Sequence, residues 1–148
     1  MIVLSAFLHH LAAFMLVATL AIEFVLIRQE LTLATARRLT ITDAIFGASA
    51  GVLLIVGLLR VFFFEKGASY YFTSHAFLGK FALFVIIGLI SIVPTVEFLR
   101  WRKSIQAGQA PAVSAQKILV LRRIIHWELA GVVLILLFAA MMAKGSWI

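Results

Sequence analysis

Cysteine is absent from the 148 residues. Disulfides, thiolate metal sites, iron–sulfur clusters and covalent haem attachment through CxxCH are therefore excluded, and the redox compartment is not legible from thiols. The chain also lacks a phosphate-binding loop, an HExxH helix and a nucleophile elbow, so nucleotide, zinc-hydrolase and serine-hydrolase chemistry have no residues to rest on. No internal repeat or low-complexity segment divides it. No basic n-region precedes the first apolar run, which continues past the usual length of a signal-peptide core; it is expected to be a retained helix.

What is abundant is apolar surface. Hydrophobic residues make up 64% of the chain and the mean hydropathy is +1.14, more than a soluble core can hide. Four runs, at about 3–27, 41–63, 75–98 and 118–143, are long enough to cross roughly 30 Å of hydrocarbon as helices. The expected fold is all-α: an integral membrane four-helix up-and-down bundle, one transmembrane domain over 1–148, with the lipid bilayer as its first partner. The net charge of +7 comes from Lys and Arg in short segments between spans, the pattern of membrane topology and not of nucleic-acid binding. Arg28, Arg37 and Arg38 follow the first run, and Arg100, Arg102, Lys103 and Lys117 follow the third. The positive-inside rule places these in the cytoplasm and both termini outside, in a bacterial inner membrane. Trp101, Trp127, Trp147, Tyr70 and Tyr71 fall near the span ends, where interfacial rings belong. The small residues of "GASAG", Gly47 to Gly51, let a neighbouring helix or a flat ligand approach the backbone closely, and helix packing is the plainer expectation.

Ionisable residues inside spans are costly and mark the bundle interior or a water-filled path. Here they form two layers. The inner layer holds Glu23, Asp43, Glu97, Arg100, Arg122, Arg123, His126 and Glu128. Its simplest account is structural, each acid finding a basic partner near the interface. A proton path or substrate contact through Glu23, Glu97, His126 and Glu128 is the alternative.

The outer layer holds His9 and His10 in the first run, Arg60 at the end of the second, and His75 and Lys80 at the start of the third. His9 lies within about 40° of the Glu23 face on a helical wheel. Three chemistries fit the set. Haem b would take His9 or His10 with His75 as iron ligands, and Arg60 and Lys80 as partners of the propionates. A quinone would take a His and a Lys. A transition metal held on imidazoles is weaker, because outer carboxylates are scarce. The plain reading of the same residues is hydrogen-bonded interfacial side chains.

The stretch "RVFFFEKGASYYFTSHAFLGKFALFVIIGLISIVPTVEFLRWRK", Arg60 to Lys103, resembles the signature of a bacterial predicted-membrane-protein family of unknown function. The matching positions are Arg60, Lys66-Gly67, Tyr70-Tyr71, Phe77, Lys80-Phe81, Ser91, Pro94-Thr95, Phe98 and Trp101-Arg102. This resemblance implies no activity. A fainter similarity runs to four-helix proteins of the copper-resistance D type and the HemJ type, the latter a haem-dependent protoporphyrinogen oxidase. It places His9 or His10, His75 with Lys80, and Arg122 or Arg123 with Glu128 at the HemJ positions. Trp127 stands where that pattern has Asn, the Arg spacing differs, and "IEFVLIRQE" replaces its aromatic-rich first-helix end.

The leading expectation is thus a haem b-binding redox protein for electron transfer or oxidation of a porphyrinogen- or quinol-like membrane substrate; as an enzyme it would be a haem-dependent membrane oxidoreductase. The other is a small transport or accessory subunit without haem. It is motivated by a break at Pro94 and by charges at two depths, and alternating access with so few helices would call for a homodimer.

Overall fold

The computed structural model of the chain describes residues 1–64 and 66–144; Trp147 lies outside them. Helix α1 covers Ile2–Leu26. Helix α2 covers Leu33–Leu59 and continues as a π-helical turn, Arg60–Phe64. A short α3, Ala68–Thr73, leads into α4, His75–Gln106, and α5 covers Ala115–Ala143. No strand occurs among the described residues, and four helices are long and apolar enough to cross a membrane. The expected all-α bundle is what the chain forms.

Each long helix packs on two neighbours. Helix α1 lies chiefly on α2 and α4 on α5, while α2–α4 and α1–α5 contacts close the ring. Helices α1 and α4 therefore face each other across a diagonal. A central core joins Leu16, Leu20, Phe46, Ile87, Phe98, Leu121 and Ile125. A smaller one under α3 joins Val61, Tyr71 and Phe77. The opposite faces expose Phe14, Ile55, Leu89 and Leu137, which suits hydrocarbon.

The helices overrun the apolar runs. Helix α2 starts at Leu33, so Arg37 and Arg38 are helical; α4 continues to Gln106, taking in Arg100, Arg102 and Lys103. Hydropathy marks where hydrocarbon ends, whereas a helix ends where its orphan amides find caps. Thr32 accepts from the Thr35 amide at 3.1 Å, and Ser114 from the Lys117 amide at 3.2 Å. Helix α3 occupies what the sequence reads as a loop, after Gly67 at φ 89°, a backbone turn that favours glycine.

Two further expectations are corrected. Helix α4 runs through Pro94 without a break, and Pro94 is buried within it; neighbouring helices and a long run of intact turns tolerate the missing donor. The GASAG glycines do not pack: a Cβ on Gly47 or Gly51 would meet nothing within 4 Å. Close approach occurs at other glycines. A Cβ on Gly131 would come within 2.7 Å of Ile87 Cδ1, on Gly79 within 3.2 Å of Phe138, and on Gly57 within 3.3 Å of His9 Cε1.

The first and last helices are clasped at the basic end. Arg122 of α5 donates through Nε to the Ile27 carbonyl at 3.0 Å and through a terminal nitrogen to the Arg28 carbonyl at 3.5 Å. A cation at the C-terminus of α1 also complements its dipole.

Replacing Gly131 by Leu forces Ile87 out of the α4–α5 seam and is expected to cost about 1–3 kcal/mol. Gly47→Leu is expected to leave stability unchanged. Thermal unfolding in detergent compares the two.

Candidate functional site

Depth along antiparallel helices brings four residues from four helices to one level. Asp43 lies ten residues after the start of α2 and Thr95 eleven before the end of α4. Thr95 donates its hydroxyl to Asp43 Oδ1 at 2.8 Å. Glu23 of α1 and Glu128 of α5 complete the group. Glu23 is 1% exposed, Glu128 2% and Asp43 6%. Asp43 and Glu128 both lie close enough to repel a charge on Glu23, and Asp43 repels one on Glu128. The attraction of Arg102 reaches Asp43. One oxygen of Glu23, Oε1, and one of Glu128, Oε1, are buried without a hydrogen-bond partner among the described residues.

The structural account of the inner layer therefore holds for one acid of the four. Glu97 pairs with Lys117 at 3.3 Å and Arg100 at 3.7 Å, and accepts from Trp101 Nε1 at 3.2 Å. Glu23, Asp43 and Glu128 have no ion pair among the described residues. Arg122, the expected partner type, spends its donors on backbone carbonyls of the α1 end. His126 is exposed, its ring 6.0 Å from Phe24 and 5.8 Å from Trp127. It flanks the bundle instead of joining the acids. Thr95 has no place among the sequence candidates. Its signal is its depth, which matches Asp43 on a neighbouring antiparallel helix.

A cavity of about 340 Å³ opens at the basic end, lined by Leu26, Ile27, Gln29, Glu30, Leu39 and Arg122 among others. Ile27 is one helical turn beyond Glu23, and Leu39 one turn before Asp43, so the cavity floor lies about 6 Å from the acids along the helices. Toward the other end Leu16, Leu20 and Phe46 close the core above them.

The outer candidates all lie at the opposite end. His9 is half-buried with its ring against Gly57 of α2, and exposed His10 meets it edge-on at 6.1 Å between centroids. His75 is exposed at the first position of α4, across the diagonal from α1. Lys80 Nζ sits 5.3 Å from the Phe77 ring centre and Lys66 Nζ 4.5 Å from that of Tyr70. Phe77 in turn touches Tyr71, Phe72 and Phe81. Arg60 opens the π turn, half-buried. Aromatic and basic residues thus share one rim, while His9 packs sideways onto α2.

Among the described residues no three His, Asp or Glu side chains converge to hold a metal ion.

Thr95→Val removes the one side-chain hydrogen bond made to buried Asp43 among the described residues. A loss of about 1–3 kcal/mol is expected, the range for leaving a buried acceptor without its partner. Thr95→Ser should retain most of it. Denaturation in mixed detergent micelles measures both.

No curated protein and no solved structure gives a match, and the fainter likeness to the copper-resistance D and HemJ types finds no support. A family model does match, over residues 2–146. With nearly its whole length accounted for, the chain belongs to the family described as predicted membrane protein (DUF2214).

Proposed function

We propose that this protein is a small proton-coupled transport component whose working centre is Glu23, Asp43 and Glu128. The observation that carries the reading is the pair of orphaned carboxylate oxygens, Glu23 Oε1 and Glu128 Oε1, buried at one level of the bundle. Unpaired acids at membrane depth are expensive to keep and are characteristic of proton relays. Carboxyl groups of neighbouring helices at one depth can pass a proton between them. Asp43, tied to Thr95 and drawn by Arg102, is the fixed member. Glu23 and Glu128 are the members free to accept a proton or a cationic group.

The basic-end cavity supplies the entrance, one turn from the acids. With the basic loops in the cytoplasm of a bacterial inner membrane and the termini outside, that entrance is cytoplasmic. On the far side, His9 lies on the same face of α1 as Thr19 and Glu23. It is separated from Glu23 by roughly 21 Å of helix that includes Leu16 and Leu20. Transit across the membrane then requires this apolar plug to open, which makes the leucine layer the gate.

The experiment reconstitutes the full chain in liposomes containing a pH-sensitive dye. Gradients of sodium, potassium or a small organic amine are imposed. Proton movement with at least one gradient is expected, and Glu23→Gln and Glu128→Gln are each expected to lower it by tenfold or more, as loss of an essential proton carrier does. Because the amide matches a protonated carboxyl in size, both variants should fold, and thermal unfolding in detergent checks that they do. Absence of flux under every gradient would overturn the proposal.

A second reading is haem b held by His9 or His10 with His75, beside Arg60 and Lys80, with a quinol or porphyrin as the substrate oxidised. The gathering of Lys66, Lys80 and five aromatic rings at that end favours it, since a haem is apolar at its centre and acidic at its rim. A visible spectrum of protein made with excess haem decides it. A Soret band that His75→Ala abolishes supports it, and a featureless spectrum removes it.

A further inference from the structure

A groove of about 750 Å³ runs along the outside of α2, between α1 and the basic end of α4. Its sides and floor are apolar or small: Leu8, Leu11 and Met15 from α1, and Ala44, Ala48 and Val52 from α2. Apart from Ser49, its polar groups lie toward the basic end, where Arg37 and Thr40 of α2 and Arg102 and Gln106 of α4 line it. Both arginines are exposed, and neither has an ion pair among the described residues. Asp43 attracts Arg102 from the bundle core, but no carboxylate faces Arg37 in the groove lining. The feature is thus an apolar slot with two guanidinium groups at one end.

We infer that this groove holds one anionic phospholipid, its phosphate on Arg37 and Arg102 and an acyl tail along Ala44 and Ala48. Two facts fit the occupant. The arginines stand where the helices leave the apolar zone, the depth of a headgroup, and a guanidinium fork matches phosphate oxygens. From Arg37 to Val52 the groove extends roughly 22 Å at 1.5 Å per residue, longer than the roughly 15 Å depth of one leaflet's hydrocarbon. The exposed small residues Ala44 and Ala48 leave the width for a tail. A second copy of the chain is a poorer occupant. Two grooves meeting about an axis normal to the membrane would bring like-charged arginines to the same depth.

The test is lipid retention by the full chain, purified in detergent and read by native mass spectrometry. Phosphatidylglycerol and phosphatidylcholine of identical tails are offered in equal amounts. Phosphatidylglycerol is expected to be retained preferentially. Arg37→Gln and Arg102→Gln should each weaken that retention about fivefold, the typical worth of one basic residue at an anionic surface, and should weaken that of phosphatidylcholine less, since its choline offsets the phosphate charge. Ala48→Phe, which fills the slot on an exposed face, should reduce both. Equal retention of the two lipids, or a preference indifferent to both arginines, overturns the inference. So does displacement of phosphatidylglycerol by an equal concentration of inorganic phosphate, which would make the site one for a free anion. A dimer that Ala48→Phe dissociates while lipid retention is unchanged overturns it in favour of a second copy.

Discussion

The bilayer offers no hydrogen bonds, and the architecture follows from that constraint. The backbone meets it by staying helical wherever the chain crosses, including through Pro94. Thr19, Thr40 and Ser91 meet it locally, each returning its hydroxyl to a carbonyl three or four residues earlier. Arg28 meets it by donating to the Phe24 carbonyl at 2.6 Å and lying over the Phe24 ring. Against this background of satisfied groups, the exceptions are conspicuous. Glu23 and Glu128 expose almost nothing to solvent and still leave an oxygen unbonded. At these two positions the bundle departs from the rule that the rest of it keeps.

The two ends of the bundle solve different problems. The basic end has long helical extensions, a cavity and the clasp between Arg122 and the α1 terminus. The other end is sealed by rings: Tyr70, Tyr71, Phe72, Phe77 and Phe81 pack successively around the π turn and α3. A π turn widens the helix locally, and here it carries Val61 inward onto Tyr71 and Phe77. Lys66 and Lys80 sit over rings of this aromatic cluster, whereas the acids lie one turn from the basic-end cavity.

Much of this was legible in the sequence. Apolar runs located the four crossings because hydropathy responds directly to the solvent each residue meets. The same signal misplaced the starts of α2 and α5, because Thr32 and Ser114 set those boundaries by capping and not by polarity. Small-residue spacing showed that α2 permits close approach at Gly47 and Gly51; it does not say which face has a neighbour, and the close contacts fell at Gly57, Gly79 and Gly131. The inner acids were visible one by one. Their convergence was not, since it depends on the relative rotation of four helices. The ring order α1–α2–α4–α5 decides which faces meet, and no local pattern encodes it.

The contact between Arg122 and the end of α1 has a bearing on biogenesis. A membrane protein is inserted from its N-terminus, so α1 enters the bilayer first and α5 last. Until α5 arrives, the carbonyls of Ile27 and Arg28 lack the side-chain partner they have in the finished bundle. The same is true of the α1 face around Leu16 and Leu20, part of whose packing comes from α5. The final helix therefore acts as the closing stave of a cask: the earlier three can be placed in order, but the ring is secured only when the last segment of the chain locks back onto the first.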